Sequence, residues 1–222
     1  MLYNVWNVGS LSREQLKYQG QTPLDIIENI VFYYTEPPQT NPHLQLSKIV
    51  DPMAGSGIVR DVCRKLLRRY MLFDINPIRE DIPIEKNDIL QGLPNKAKNT
   101  DLVYFDPPYF ILLEKYPKNE FNKDYPTFLQ AMKKALINIK KILKPCGYVA
   151  LILKPMNKEL FKGDWFDLTF DSMQIAKKLN YKLVKRIAAP LSTQQFKDFH
   201  ITQAKEEKSM LNILRDIIIL EK

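Results

Sequence analysis

The chain has 222 residues, of which 45% are hydrophobic and 26% charged, and this composition suits one α/β domain rather than a disordered chain. Its 33 lysine and arginine residues against 25 acidic ones leave a net charge of +8, which favours a polyanionic partner. The two cysteines and two histidines are isolated from one another, which argues against a zinc site and for reduced thiols.

The N-terminal segment, residues 1–20, is polar and mixed, which predicts a surface arm. It lacks the basic segment followed by an apolar one that marks a secretory leader, and no apolar run approaches the ~20 residues needed to cross a bilayer. We therefore expect a cytoplasmic protein without a membrane partner. The apolar spacing from Leu24 to Val31 predicts a helix, with Thr22 as its N-cap and Pro23 at its first position.

Strand-like and helix-like segments alternate along the rest of the chain. Strands are predicted at residues 46–51, 70–75, 101–105, 148–153, 181–188 and 215–220, with a further strand, the third in chain order, that ends at 87–89. Helices are predicted from residue 58, over 127–143 and over 171–180. This alternation predicts one domain over residues 1–222, built as a doubly wound sheet with a mainly parallel centre. Ligands of such a sheet bind beyond the carboxyl ends of its strands.

Two motifs stand at predicted strand ends. The first, Asp51-Pro52-Met53-Ala54-Gly55-Ser56-Gly57, follows one strand and opens a helix, and its glycines let the backbone turn tightly and approach a ligand. It lacks the Gly-Lys-Ser/Thr ending of a phosphate-binding loop and departs from the dinucleotide Gly-x-Gly-x-x-Gly pattern. The second, Asp106-Pro107-Pro108-Tyr109, follows the fourth strand.

These motifs carry a resemblance to a known family. The first resembles the Asp-Pro-Phe-x-Gly-Ser-Gly cofactor motif of amino-methylating DNA methyltransferases, and the second matches their catalytic Asp-Pro-Pro-Tyr motif. The run from Gln21 to Ile30 is similar to the segment that precedes the cofactor motif in that family, so the resemblance covers most of the chain. It implies a Rossmann-like class I methyltransferase fold, with seven strands that are mainly parallel and an antiparallel edge strand. It also implies S-adenosyl-L-methionine as cofactor.

The resemblance implies that different parts of the cofactor contact the ends of different strands. Asp51 and the Gly55 backbone would hold the methionine portion, with Thr22 and Pro23 lining the same pocket. Asp74 would accept the ribose hydroxyls, and Asp88 the adenine amino group, although either could be an ordinary turn or capping residue. The candidate cofactor residues are Thr22, Pro23, Asp51, Pro52, Met53, Ala54, Gly55, Ser56, Gly57, Asp74, Ile75, Asp88 and Ile89.

The second motif fits the chemistry of methylating an exocyclic amine. Such an amine is a poor nucleophile because its lone pair is delocalised into the ring. Asp106 and the carbonyl of Pro107 would accept hydrogen bonds from its two N–H groups, and Pro107 and Pro108 would hold that carbonyl in place. Tyr109 would stack on a base that has left its helix. The candidate catalytic residues are thus Asp106, Pro107, Pro108 and Tyr109.

Residues 110–126 interleave basic and aromatic side chains, among them Phe121 and Tyr125, which predicts a loop that binds nucleic acid. The candidate substrate-binding residues are Phe110, Lys115, Lys118, Lys123, Lys154 and Phe196, with Phe199 as the alternative to Phe196. Related enzymes carry a separate target-recognition domain, for which 222 residues leave no room. Recognition would then fall to the loops, to a second subunit in a homodimer, or to a specificity partner.

Three functions are compatible with these motifs. The first is a DNA methyltransferase that makes N6-methyladenine or N4-methylcytosine. The second is an RNA methyltransferase acting on guanine N2 of tRNA or rRNA, since those enzymes carry similar Asp-Pro-Pro-Tyr segments. The third is a non-catalytic subunit with a methyltransferase fold, against which the two intact motifs argue. The segment from Gln21 to Ile30 favours DNA.

Overall fold

A computed structural model of the protein describes residues 4–6, 22–38, 45–108, 120–121, 123–154, 166–190, 198–206, 208 and 214–222. The helices in these ranges are α1 (Leu24–Tyr34), α2 (Ile58–Lys65), α3 (Tyr125–Ile142), α4 (Leu168–Lys178) and α5 (Asp198–Glu206). The strands are β1 (Lys48–Asp51), β2 (Arg69–Asp74), β3 (Ile84–Lys86), β4 (Thr100–Phe105), β5 (Leu143–Leu153), β6 (Lys182–Pro190) and β7 (Leu214–Glu221). Two 3-10 helices, Ile89–Gln91 and Asn95–Ala97, lie between β3 and β4.

The strands form one seven-stranded sheet in the order β3-β2-β1-β4-β5-β7-β6. The neighbours from β3 to β5 pair in parallel, whereas β7 is antiparallel to both β5 and β6. The predicted fold class is therefore confirmed, and the antiparallel pairing occurs at one edge of the sheet. There β7 is the reversed strand, and it lies between β5 and the outermost strand β6. All the strands except β7 consequently end at the same edge of the sheet.

Helices cover both faces of the sheet. Val103 and Phe105 of β4 point into the core beneath α3 and α4, whereas Leu102 and Tyr104 point into the core beneath α1 and α2. Successive side chains of a strand point to opposite faces, so a central strand that is buried on both faces is apolar throughout. This two-sided core holds the strand ends in fixed relative positions.

Side-chain caps explain where two of the helices begin. Asp124 accepts a hydrogen bond from the Thr127 amide at 2.8 Å and starts α3, and Asp167 accepts one from the Phe170 amide at 2.8 Å and starts α4. The predicted helix over 171–180 therefore begins three residues earlier, at Leu168.

The predicted cap of α1 is wrong. The N-cap position is Pro23, which makes no side-chain capping bond, and its carbonyl accepts from the amides of Ile26 and Ile27. The Thr22 hydroxyl contacts the Asp106 carboxylate instead. A helix cap needs only local geometry, whereas this contact depends on the packing of α1 against the end of β4.

The surface arm predicted for residues 1–20 is wrong for the described residues 4–6. The Trp6 amide donates to the Ala188 carbonyl at 2.8 Å, and the Ala188 amide donates to the Asn4 carbonyl at 2.9 Å, which adds a short parallel bridge beside β6. The Trp6 side chain is 2% exposed and stacks on Tyr33 at 6.3 Å between ring centroids. A single tryptophan in a polar segment has no periodicity to reveal its burial. Residues 7–20 lie outside the described ranges.

None of the described helices combines the length and apolar character that a bilayer span requires.

Candidate active site

Four aspartates lie at one edge of the sheet because four parallel strands end there. Asp51 is the last residue of β1 and Asp74 the last of β2. Asp88 follows β3 by two residues, and Asp106 follows β4 directly. The structure thus brings the two sequence motifs to adjacent strand ends, since β1 and β4 are neighbours in the sheet.

The turn after β1 is tied to the end of β2. The Asp74 carboxylate accepts from the Gly55 amide at 2.8 Å through Oδ2 and from the Asn76 amide at 2.9 Å through Oδ1. The Ala54 amide donates to the Phe73 carbonyl at 2.8 Å. An ionised carboxylate has about four acceptor positions, so these bonds are compatible with further bonds from a ligand's hydroxyls.

Both the backbone conformation at position 57 and the atoms around it require a glycine there. It is the N-cap of α2 with φ +73°, in the left-handed region that L side chains rarely adopt. A Cβ atom there would lie 3.2 Å from the Ile82 side chain. The sequence motif therefore encodes a turn that brings the start of α2 close to the segment before β3.

Asp51 is a buried carboxyl group with little compensation from the protein. It is 3% exposed, and its Oδ1 accepts from the Met53 amide at 3.1 Å. Burial raises the pKa of Asp51 well above its ordinary value, and the bond from Met53 opposes that rise. The carboxylates of Asp106 and Asp74 raise this pKa further. A bound cation would relieve both the burial and the repulsion.

A cavity of about 230 Å³ opens beside the ends of β1, β2 and β3. Its lining residues are Pro52, Met53, Ile75, Asn87, Asp88, Ile89, Leu90, Glu120 and Phe121. Five of these are predicted cofactor residues, namely Pro52, Met53, Ile75, Asp88 and Ile89. Asp88 also caps the 3-10 helix, where its Oδ1 accepts from the Leu90 amide at 2.9 Å. The capping role considered from the sequence is therefore present, within the wall of the cavity.

Phe121 lines this cavity, a position that the sequence did not predict. It was expected in a loop that binds nucleic acid, but it is 2% exposed and lies edge-to-face with Phe105 at 6.1 Å and with Phe128 at 6.0 Å. Tyr125 is also buried, at the start of α3, and its hydroxyl donates to Asp171. The spacing of Phe121, Tyr125 and Phe128 continues the apolar stripe of α3 towards the N-terminus, and this signal could have revealed their burial.

Among the described residues, two hydroxyl groups contact Asp106. The Thr22 hydroxyl donates to Asp106 Oδ2 at 2.8 Å, and the Tyr104 hydroxyl lies 3.5 Å from the same oxygen. Pro107 is buried and Pro108 is half-buried, so the chain after Asp106 is packed as well as stiff. The start of this motif is therefore held in place from the segment before α1 and from β4.

The predicted substrate-binding residues are only partly described. Lys123 is exposed immediately before α3, Lys154 is half-buried at the end of β5, and Phe199 on α5 is 58% exposed. Tyr109, Phe110, Lys115, Lys118 and Phe196 lie outside the described residues. Contact with nucleic acid at these positions stays a prediction. In the part of the chain that is described, no group of three or more His, Cys, Asp or Glu side chains could hold a metal ion.

No protein-family model and no curated protein matches the sequence. Solved structures are similar in fold. TrmN from Thermus thermophilus aligns with a TM-score of 0.55 and 13% identity over 92% of this chain and 50% of its own. A SAM-dependent methyltransferase from Archaeoglobus fulgidus aligns with a TM-score of 0.52 and 12% identity over 94% of this chain and 98% of its own. The pyocyanin biosynthetic protein PhzM aligns with a TM-score of 0.53 and 12% identity over 88% of this chain and 54% of its own. The chain thus spans about half the length of TrmN and PhzM.

Proposed function

We propose that the protein uses S-adenosylmethionine to methylate an exocyclic amine of a nucleic-acid base, N6 of adenine or N4 of cytosine in DNA. Its fold, the Rossmann-like fold of class I methyltransferases, is compatible with this proposal. The observation that carries this proposal is the position of Asp106-Pro107-Pro108 at the end of β4, next in the sheet to the buried Asp51 and the glycine turn.

The electrostatics of the site fit this cofactor. S-adenosylmethionine carries a positive sulfonium and a positive ammonium group, and the strand ends present the carboxylates of Asp51, Asp74 and Asp106. Asp51 would gain most from a cation because it is buried among other acids. The apolar walls formed by Ile75 and Ile89 suit a flat adenine ring. Similar folds in proteins described as SAM-dependent methyltransferases support the same assignment.

The chain's own residues would prepare the amine for attack. When bound, the cofactor supplies an activated methyl group. Asp106 and the Pro107 carbonyl accept hydrogen bonds from the two N–H groups, which favours the tetrahedral nitrogen that has a localised lone pair. Held in this way by Asp106 and Pro107, the amine would direct its lone pair at the methyl group that a bound cofactor would supply, and its surplus proton would pass to solvent after the transfer. No covalent bond to the enzyme is needed.

The charge of the protein supports a nucleic-acid substrate. A net charge of +8 favours a polyanion, because each phosphate contact releases condensed counterions. Lys123 and Lys154 lie near the edge of the sheet that carries Asp106. We place DNA first because of the segment that precedes the glycine turn, and RNA guanine N2 is the alternative substrate.

The test is methyl transfer from radiolabelled S-adenosylmethionine to unmethylated genomic DNA and, in parallel, to unmodified total RNA, followed by mass spectrometry of the nucleosides. Label in N6-methyladenine or N4-methylcytosine supports the proposal. Label only in RNA, as N2-methylguanine, replaces DNA by the alternative substrate. Cofactor binding without transfer to either nucleic acid would indicate a non-catalytic subunit, and no binding at all would contradict every enzyme assignment.

The Asp106→Ala variant tests the catalytic assignment. We expect transfer to fall by about 10²–10³-fold or more, since an acceptor aimed at the reacting group is lost, while cofactor affinity by calorimetry stays within about 3-fold. Asp61→Ala, on an exposed carboxylate of α2, is the matched control and should keep full activity. An Asp106→Ala variant as active as the wild type would contradict the role given to Asp106.

A further inference from the structure

The hydroxyl of Thr22 bonds to Asp106 and does not cap α1, the helix that follows Thr22. Thr22 is 3% exposed, and its Oγ1 donates to Asp106 Oδ2 at 2.8 Å across 84 residues of sequence. The N-cap of α1 is Pro23 and has no side-chain capping bond. A threonine next to a helix start usually stabilises that helix, so this contact with a proposed catalytic carboxylate calls for another reason.

A second hydroxyl reaches the same carboxylate oxygen. Tyr104 precedes Asp106 by two residues on β4, and its hydroxyl lies 3.5 Å from Oδ2. The Tyr104 ring is 3% exposed. Burial raises the pKa of Tyr104 well above its ordinary value, the charge of Asp106 raises it further, and a hydrogen bond with Thr22 opposes the rise, so the phenol keeps its proton and remains a donor. The two hydroxyls approach Oδ2 from the segment before α1 and from the sheet.

We propose that Thr22 is a positioning residue, whose hydroxyl, together with that of Tyr104, holds the Asp106 carboxylate in one orientation before the base arrives. This inference rests on the proposed function. An aspartate side chain has three staggered χ1 positions and a broad χ2 range, and bonds from two elements select one of them. Orientation matters because a displacement of about 1 Å in a catalytic group can lower a rate by about 10²-fold.

The steady-state test compares Thr22→Val, which removes the hydroxyl at nearly constant volume, with Thr22→Ser, which keeps it. We expect Thr22→Val to lower kcat for methyl transfer by about 10–100-fold. A rise in the KM for the cofactor with an unchanged kcat would indicate only the pocket-lining role predicted for Thr22 and would overturn the inference. Thr22→Ser should recover kcat to within about 3-fold of the wild type. Loss of kcat in both variants, or in neither, would overturn the inference.

Thr169→Val is the matched control. Thr169 is fully buried and donates to the Asp216 carboxylate at 2.7 Å, so the variant removes the same kind of bond away from Asp106. It should lower the melting temperature and leave kcat within about 3-fold. If Thr22→Val is too unstable to assay, Tyr104→Phe removes the second donor, and an unchanged kcat in that variant would also overturn the inference.

A spectroscopic readout is independent of turnover. The carboxylate stretching bands of the ligand-free protein, assigned to Asp106 by their loss in Asp106→Asn, should shift in Thr22→Val and not in Thr169→Val. A wild-type protein that binds cofactor and transfers no methyl group to DNA or RNA would refute the proposed function, and this inference with it. Normal transfer by Thr22→Val with unshifted bands would refute the inference alone.

Discussion

The Asp74 carboxylate accepts a hydrogen bond from the Gly55 amide at 2.8 Å and so joins the end of β2 to the turn that follows β1. The sequence predicts Asp74 as the acceptor for a ribose. The structure shows that the same side chain also shapes the turn proposed to hold the methionine portion. One substitution at Asp74 should therefore affect both the stability and the affinity for the cofactor.

Comparing two replacements of Asp74 should separate its role in stability from its role in cofactor binding. In Asp74→Ala the Gly55 and Asn76 amides lose their acceptor, and we expect the free energy of unfolding to fall by about 1–3 kcal/mol. Asp74→Asn keeps one side-chain oxygen as acceptor and should be less destabilised. Both variants should bind S-adenosylmethionine about 10–100-fold more weakly, by calorimetry. Wild-type affinity in Asp74→Ala would show that this carboxylate does not contact the cofactor.

Asp51→Asn should stabilise the ligand-free protein and impair cofactor binding. The amide keeps an oxygen for the Met53 amide and removes a buried charge that lies near Asp106 and Asp74. A gain of 1 kcal/mol corresponds to about 2–4 °C in melting temperature for a domain of this size. The same variant should bind the cationic cofactor more weakly. A lower melting temperature in the absence of ligand would contradict this account of Asp51.

The stabilisation by Asp51→Asn should grow with pH. The folded-state pKa of Asp51 lies above its ordinary value of 3.8, so between those two values the folded protein binds a proton that the unfolded chain has lost. The contribution of this group to stability is therefore fully present below pH 3.8 and is lost as pH rises through the folded-state pKa. The difference in melting temperature between variant and wild type should accordingly be larger at neutral than at acidic pH.

Two glycines of the same turn should differ in their response to alanine. Gly55 has φ +49° and open space around a Cβ atom, so Gly55→Ala should cost about 1 kcal/mol from backbone strain alone. Gly57 has φ +73°, and a Cβ atom there would lie 3.2 Å from Ile82, so Gly57→Ala should cost about 2 kcal/mol or more. Urea unfolding of both variants measures the difference, and equal losses would contradict the close approach of Ile82.

Trp6 should be part of the folded core. Trp6→Ala removes a ring that is 2% exposed and stacked on Tyr33, and we expect a loss of about 3–5 kcal/mol in the free energy of unfolding. Val5→Ala is the control, because Val5 is 51% exposed and should change stability by less than about 0.5 kcal/mol. A similar small effect in Trp6→Ala would show that residues 4–6 are not anchored to β6 in solution.

The fold class and the two motifs could be predicted because their signals are local. Asp51, Gly55 and Gly57 stand within seven residues, and the turn they form depends on the backbone conformation of the glycines themselves. Alternating strands and helices were enough to predict the sheet, since few arrangements bury such elements. The position of Asp106 at a strand end follows from the apolar run that precedes it.

The contacts that hold Asp106 in place could not be predicted in the same way. Local pattern assigns Thr22 to a helix cap and places Trp6 in a surface arm. Both assignments fail for the same physical reason. The free energy gained by a buried hydroxyl or ring depends on partners far along the chain, here Asp106 and Tyr33, and only the folded chain brings those partners within reach. Local sequence thus specifies the elements and motifs, whereas long-range packing specifies how the carboxylate proposed to be catalytic is held.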